Sequence, residues 1–232
     1  EHIKTANTLN SLGAVYINQG RYIEARPVLE KASRVIESTF GPSHIQFIES
    51  SINLATLYNY LGHYEQAARI FRQSLEGIEL IFGKDHSSAA LLMAYLAMTY
   101  WRQARYEEAE ELNKRAIEIQ NKTTGLKHPN TAFFLTNQGM IYFSQDRYVE
   151  AEIAYQQALD IFEGIAGPEH PYHNMAINNQ ALVYMKLAQY KKAEELLQRT
   201  REAIESSLGS EHPMTVNVLS NLAQIYSALG RY

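Results

Sequence analysis

A tyrosine recurs every 42 residues along this chain of 232 residues. The series consists of Tyr22, Tyr64, Tyr106, Tyr148, Tyr190 and Tyr232. Five further series keep the same spacing. They are a second tyrosine series from Tyr16, a histidine series from His2, a glycine series from Gly41, and two series of small residues from Gly13 and Ala25. A fixed period of this length is typical of an array of small repeats, each of which buries its apolar side chains against its neighbours. The period therefore predicts stacked repeats and excludes a single globular core.

Each repeat is predicted to form two helices. In the second repeat, apolar side chains follow helical spacing from Ile45 to Leu61 and again from Tyr64 to Ile81, with a Gly-His break between. Gly83 is expected to end the second helix in the left-handed conformation that glycine adopts readily. His128-Pro129 opens a later repeat, because proline is favoured at the first helical position. Isolated helices of this length are marginal in water, so the predicted fold is all-α, with each helix packed on the next.

The composition excludes several classes of protein. A net charge of −4 and an isoelectric point near 6.1 give no general attraction for nucleic acid or for an anionic membrane. The chain has no cysteine, which excludes disulfide frameworks and thiolate metal sites. No apolar run reaches the roughly 18 residues that span a bilayer. Neither a phosphate-binding loop nor a dinucleotide fingerprint nor a nucleophile elbow is present, so we expect no enzyme activity and no cofactor.

The histidines are expected to satisfy helix ends and not to bind metal. Six of the eight fall on the 42-residue series, so they occupy equivalent positions in successive repeats. Equivalent positions lie about 16–20 Å apart when each repeat contributes two helix spacings. One metal ion cannot bridge that distance, because its bonds are about 2 Å long.

The repeat resembles the tetratricopeptide repeat. The resemblance rests on a small residue followed by tyrosine, a Gly-x-Tyr turn and a following alanine, as in the sequence Asn221-Leu222-Ala223-Gln224-Ile225-Tyr226 and in Tyr190-Lys191-Lys192-Ala193. The usual repeat of that family has about 34 residues, and the 42-residue form with Gly-x-x-His-Pro junctions resembles the kinesin light chain type. The resemblance implies an α-solenoid with a right-handed superhelix, formed by about five and a half repeats in one domain. The expected repeats are 3–41, 45–83, 87–125, 129–167, 171–209 and 213–232, the last of which ends after its first helix.

In that family, peptides bind the concave groove that the first helices line. One position of the first helix lies two residues before the small residue of the Gly13 series. Four of the six repeats carry asparagine there, and the third repeat carries Tyr95; the asparagines are Asn53, Asn137, Asn179 and Asn221. Asparagine is a poor helix former, so its recurrence in mid-helix calls for a compensating role. The resemblance implies that these amides hold the backbone of an extended peptide. The alternative is that each amide bonds to the neighbouring helix or to an exposed carbonyl.

A second group of side chains is predicted to give the middle of this groove an apolar, methionine-rich floor. Its members are Met98, Trp101, Phe133, Met140, Phe143, Met175, Leu182 and Met185. Methionine adapts to irregular partners, and tryptophan is frequent among binding hot spots. The alternative for each residue is a place in the core between helices.

Charge in the predicted groove is sparse and consists mainly of Arg102 and Lys186, with Glu49 of opposite sign. Kinesin light chains carry basic grooves for acidic cargo motifs, so the sequence departs from them here. We expect a ligand of mixed or apolar character, either an extended peptide or an amphipathic helix.

The sequence therefore predicts a cytoplasmic, non-catalytic scaffold that binds a protein or peptide in the groove, with no nucleic acid, membrane or metal as partner. One alternative is a ligand-sensing or regulatory arm of a larger protein with a separate effector domain. The other is a structural array that self-associates through its ends, because repeat arrays need polar caps.

Overall fold

The computed structural model describes residues 2–41, 44–125, 127–165, 171–210 and 213–230. Within these ranges every regular element is a helix, and no strand occurs. The helices are α1 (His2–Asn18), α2 (Tyr22–Phe40), α3 (Ile45–Tyr60), α4 (Tyr64–Phe82), α5 (Ser87–Arg102), α6 (Tyr106–Thr123), α7 (Pro129–Ser144), α8 (Tyr148–Ile165), α9 (Pro171–Lys186), α10 (Tyr190–Leu208) and α11 (Pro213–Ala228). The bounds of α3 and α4 lie within one residue of those predicted for the second repeat.

The chain divides into two compact units, Glu1–Ile119 and Gln120–Tyr232, which we call the N-terminal and the C-terminal unit. In the N-terminal unit, each helix from α1 to α4 packs against the next one, and α1 also contacts α3. In the C-terminal unit, each helix from α7 to α10 packs against the next one, while α7 contacts α9 and α9 contacts α11. Odd-numbered helices are the first helices of the repeats, and even-numbered helices are the second. The predicted all-α class of successively packed helices is thus confirmed, whereas the single domain of repeats stays a prediction.

The small residues lie where the two helices of a repeat meet, as predicted. A Cβ built on Gly13 would lie 2.3 Å from Leu29 Cγ, and one built on Gly139 would lie 2.6 Å from Tyr155 Cε1. On the second helices the alanine series is fully buried; it comprises Ala25, Ala67, Ala109, Ala151 and Ala193. These positions have no room for a larger side chain, because protein interiors are packed at crystal-like density.

Histidines begin the first helices. The Nδ1 atoms of His44, His86 and His128 accept hydrogen bonds from the backbone N–H two residues on, at 3.3, 3.2 and 3.1 Å. This contact satisfies one of the N–H groups that a helix start leaves without a partner. The predicted role of the histidines is confirmed at these three positions. His170 and His212 lie outside the described residues, as does the side chain of His2.

Glycines end the second helices, but in a different conformation from the one predicted. The backbone of Gly83 has φ 87° and ψ 164°, and Gly41 and Gly209 are nearly identical. The left-handed conformation has ψ near 47°, so that part of the prediction was wrong. The observed region is almost confined to glycine, because a side chain would collide with the backbone there. The Gly83 N–H still donates to the Glu79 carbonyl and closes the helix.

The turn between the two helices of a repeat is ordered by an arginine. In the third repeat, the guanidinium of Arg105 lies 3.9 Å from the centre of the Tyr100 ring and donates hydrogen bonds to Gln103 and Glu108. The hydrogen bonds from Arg105 hold the pKa of Glu108 below its ordinary value. The same stack joins Arg21 to Tyr16 and Arg147 to Tyr142. The second tyrosine series, which begins at Tyr16, therefore supplies the rings on which these arginines stack.

Candidate functional site

In the C-terminal unit, one stripe of α9 faces solvent. Met175 and Asn179 are partly exposed, and Leu182 and Lys186 are exposed. These residues follow each other at steps of three and four, so they lie along one side of the helix. Most of the remaining surface of α9 is buried between its neighbours. The sequence prediction for α9 therefore coincides with the part of the helix that a partner can reach.

The equivalent stripe of α7 is partly covered. Phe133 is 8% exposed and Asn137 only 1% exposed, whereas Met140 and Phe143 are partly exposed. The Phe133 ring lies 5.8 Å from that of the fully buried Phe134. Phe133 and Asn137 thus belong to the interior of the unit, as the alternative reading allowed, and a ligand reaches them only if neighbouring side chains move.

Helices α7 and α9 contact each other, so the accessible residues of both belong to neighbouring first helices. Met140, Phe143 and Met185 also pack against the core that α8 to α11 share, so each is anchored on one side and exposed on the other. We call the accessible residues of α7 and α9 the C-terminal first-helix surface; it consists of Met140, Phe143, Met175, Asn179, Leu182, Met185 and Lys186.

The repeated asparagines are not all equivalent. Asn221 Nδ2 donates to Asn178 Oδ1 on the neighbouring first helix at 2.9 Å. In the N-terminal unit, Asn53 Nδ2 donates to Asn10 Oδ1 at 3.2 Å in the same way. At these two positions the amide joins adjacent first helices, which is the structural alternative considered above. Asn10 and Asn178 were not singled out from the sequence, although each precedes another asparagine by 43 residues.

Asn137 and Asn179 differ from the joined pairs. Within the part of the chain that the structure describes, the Nδ2 atom of each is buried and has no hydrogen-bond acceptor. Leaving a buried donor without a partner costs about 1–3 kcal/mol. Asn137 is enclosed, whereas the side chain of Asn179 reaches the surface. Of the predicted asparagines, Asn179 is therefore the one that combines an open hydrogen bond with access to solvent.

In the N-terminal unit, the predicted residues of α5 are also partly accessible. Met98 and Trp101 are partly exposed, and Arg102 is exposed, with its guanidinium 5.9 Å from the centre of the Trp101 ring. Tyr95 is partly exposed but stacks on the buried ring of Phe71 at 5.7 Å. The side chain of Tyr95 thus serves the packing of α5 on α4 as well as the surface.

The described residues contain no group of three or more His, Asp or Glu side chains arranged to hold a metal ion. Among the same residues, no helix is both long enough and apolar enough to cross a membrane.

The sequence matches the family model of the tetratricopeptide repeat over residues 4–79, 87–164 and 172–232. The chain belongs to the tetratricopeptide repeat family. Repeats of this family (TPRs) generally mediate protein–protein interaction and are generally non-catalytic. The search of curated proteins found no match.

Solved TPR structures share the fold. One of them contains nearly identical TPR-like repeats, in a single-substitution variant, from a Podosopora anserina protein designated a kinesin light chain. It is 24% identical to this chain, with a TM-score of 0.70 over 89% of this chain and 98% of its own. BtubC from P. vanneervenii is 18% identical, with a TM-score of 0.71 over 98% of this chain and 85% of its own. A signal transduction ATPase with a tetratricopeptide repeat sensor, from Pyrococcus horikoshii, is 15% identical, with a TM-score of 0.70 over 100% of this chain and 34% of its own. These likenesses support the predicted class of α-solenoid formed by TPR helix pairs, and at such identities they concern the fold alone.

Proposed function

We propose that the chain is a non-catalytic, cytoplasmic scaffold that binds a peptide or a helix of a partner protein on the C-terminal first-helix surface. The observation that carries the proposal is that apolar side chains on two contacting first helices, α7 and α9, reach the surface, among them Met140, Phe143 and Leu182. Exposed apolar side chains that cluster in this way typically mark an interaction site. The general role of TPRs in protein–protein interaction supports the same conclusion.

Polar groups on this surface would orient the partner. The Asn179 Nδ2 donor lacks an acceptor, and a peptide carbonyl would supply one after rotation of the amide. Lys186 is exposed at the end of α9 and forms no ion pair with the described residues, so it is available to an acidic group of the partner. The methionines would adapt their side chains to the ligand, because methionine has three rotatable bonds and no branch.

The N-terminal unit offers a smaller surface of the same kind. Met98, Trp101 and Arg102 lie on one side of α5 and are accessible. Tryptophan and arginine are enriched among residues that dominate binding energy. This surface would bind a second segment of the partner independently of the C-terminal first-helix surface.

A charge placed on the exposed apolar stripe tests the proposal. The wild-type chain and its Leu182→Glu and Asn179→Ala variants are used to capture proteins from a lysate of the source organism, and captured proteins are identified by mass spectrometry. A segment of each captured protein is then synthesised, and its affinity is measured by fluorescence anisotropy. We expect Leu182→Glu to weaken binding by about thirtyfold or more, which corresponds to about 2 kcal/mol at a hot spot.

The matched control is Val149→Glu on the second helix α8 of the same unit, where Val149 is 60% exposed. The control variant should bind as the wild type does. The proposal would be contradicted if Leu182→Glu bound as tightly as the wild type, or if Leu182→Glu and Val149→Glu lost affinity equally. Normal binding by Asn179→Ala alone would restrict the site to its apolar part.

A further inference from the structure

The C-terminal unit contains a cavity on the side of α9 that faces away from the C-terminal first-helix surface. Its volume is about 500 Å³, within the range of small-molecule sites. Helices α8 and α10 form the walls, and α9 forms the floor through His173, Ile177, Gln180 and Tyr184. These four residues follow each other at steps of three and four, so they form one line, on the opposite side of α9 from Leu182.

The floor of the cavity is polar at two buried positions. His173 is 5% exposed and Gln180 is 1% exposed. The same repeat positions carry apolar residues on α3 (Phe47 and Leu54) and on α5 (Ala89 and Leu96), whereas α7 carries the buried polar residues Thr131 and Gln138. Because α3 and α5 hold apolar side chains at these positions, the fold itself does not require polar ones. Burying a polar side chain is unfavourable unless it finds a partner.

The amide of Gln180 is held in one orientation. Its Nε2 donates to Gln156 Oε1 at 3.1 Å and lies 3.4 Å from the Tyr184 hydroxyl. Burial and the neighbouring Glu152 carboxylate raise the pKa of Tyr184, so its hydroxyl stays protonated. The carbonyl oxygen of Gln180 accepts no hydrogen bond from the residues that the structure describes. The cavity therefore holds an oriented acceptor that lacks a donor.

Two opposite charges stand on the two walls without partners. Arg199 on α10 and Glu163 on α8 line the cavity, are exposed, and form no ion pair or hydrogen bond with described residues. The other charges at the cavity have neighbours of opposite sign. Lys192 lies 3.8 Å from Glu152, and Glu195 lies 3.8 Å from Lys191. The cavity lining also includes the apolar side chains of Leu159, Ile177 and Leu196.

We propose that this cavity binds a small zwitterion with an apolar side chain, of the size of an amino acid or a dipeptide. Arg199 takes the carboxylate, and Glu163 takes the ammonium group. Gln180 Oε1 accepts an N–H of the ligand, and Leu159 and Ile177 pack against its apolar part. A guanidinium is well suited to a carboxylate because it presents parallel N–H donors. This site goes beyond the proposed partner surface and does not depend on it.

Calorimetric titration of the whole chain tests the proposal with four probes. L-leucine represents a free amino acid, and L-leucyl-L-leucine represents a dipeptide. The compound 4-methylpentanoate lacks the ammonium group, and 3-methylbutylamine lacks the carboxylate. We expect saturable binding of at least one zwitterion, and binding about tenfold weaker or more for the acid and the amine. The stronger of the two zwitterions then identifies the source of the ligand.

Variants connect the binding to the named residues. Arg199→Gln and Glu163→Gln change exposed side chains and should each weaken zwitterion binding about tenfold. Gln180→Leu introduces the residue that α3 and α5 carry at this position, so it should fold and bind more weakly. Arg34→Gln, an exposed arginine on α2, makes the same charge change and should bind as the wild type does.

The proposal is overturned if neither zwitterion binds saturably, if the acid binds as tightly as the zwitterion, or if Arg199→Gln binds as the wild type does. Each of these outcomes is independent of partner capture on the C-terminal first-helix surface.

Discussion

Gly139 of α7 faces the ring of Tyr155 of α8 so closely that a Cβ on Gly139 would lie 2.6 Å from Tyr155 Cε1. Tyr155 is 1% exposed, so the ring has little freedom to move away. The absence of a side chain at Gly139 is what permits the large ring in the core of this repeat. In the next repeat the equivalent pair is Ala181 and Leu197, both buried.

The variant Gly139→Ala should destabilise the chain by about 1–3 kcal/mol through overpacking. This loss occurs although alanine favours a helix over glycine by about 1 kcal/mol. Urea unfolding followed by circular dichroism measures the change. Adding Tyr155→Leu recreates the pair of the following repeat and should restore part of the stability lost by Gly139→Ala. A Gly139→Ala variant as stable as the wild type would show that the ring adjusts freely.

The same tyrosine should make the chain less stable in alkali. Burial raises the pKa of Tyr155 above its ordinary value of 10.0. The stability that the buried Tyr155 hydroxyl contributes is therefore fully present below the pKa of tyrosine in the unfolded chain. It is lost as the pH rises above that value, because the unfolded chain then releases the hydroxyl proton and the folded chain keeps it. At about pH 11 the expected loss is about 1.4 kcal/mol relative to about pH 8. Tyr155→Phe removes this part of the loss, as urea unfolding at both pH values would show.

The control for the alkaline measurement is Tyr60→Phe, since Tyr60 is 49% exposed. This variant keeps the ring that stacks on Tyr22 at 4.8 Å. Its stability should fall with pH as steeply as that of the wild type. An equally steep fall in Tyr155→Phe would contradict the assignment to the buried hydroxyl.

Two alanines occupy positions that favour glycine. Ala104 and Ala188, in the turns between helices, have φ of 59° and 55°. A side chain in this left-handed region costs about 1–2 kcal/mol, and Gly20 and Gly62 fill the same turn in other repeats. We expect Ala104→Gly and Ala188→Gly each to stabilise the chain by up to about 1 kcal/mol after the entropy of glycine is counted. Thermal unfolding measures the gain.

Two further variants show whether the gain comes from the backbone. Ala14→Gly lies inside α1 and should lose about 1 kcal/mol. Asp146 also has positive φ, at 58°, but its carboxylate accepts a hydrogen bond from the Tyr148 hydroxyl. Asp146→Gly should therefore gain less than Ala104→Gly. Destabilisation by both alanine variants would refute the strain argument.

The histidine caps should be worth a measurable amount of stability. His86 Nδ1 accepts from the Ser88 N–H at 3.2 Å, and the His86 ring stacks on Phe82 at 4.6 Å. His86→Ala removes both contacts and should cost about 0.5–2 kcal/mol, the usual value of an N-cap. His86→Asp restores an acceptor for the Ser88 N–H and should recover most of that loss in thermal unfolding. If aspartate restores nothing, the ring stack and not the cap supplies the stability.

Local structure could be predicted from the sequence because it depends on neighbours along the chain. The bounds of α4, the glycine at Gly83 and the caps at His44 and His86 all follow from residues within one turn. The ψ angle of Gly83 was not predictable, since glycine can adopt several conformations with positive φ and the next helix selects one of them.

The surface was harder to predict because exposure depends on the packing of other helices. Asn137 and Asn179 occupy the same repeat position, yet one is enclosed and the other reaches solvent. The bond from Asn221 to Asn178 requires two helices to lie in a particular register. The cavity likewise combines side chains from three successive helices, α8, α9 and α10, and its shape depends on how they pack. None of this follows from a spacing along one helix.

Helix α9 presents Leu182 to solvent on one side and Gln180 to the cavity on the other. A partner on the first side and a zwitterion on the second would therefore act on one rigid element. If the zwitterion changes the affinity for the partner by some factor, reciprocity requires the partner to change the affinity for the zwitterion by the same factor. Helix α9 would then serve as the thermodynamic link between the binding of a small zwitterion and the binding of a partner protein.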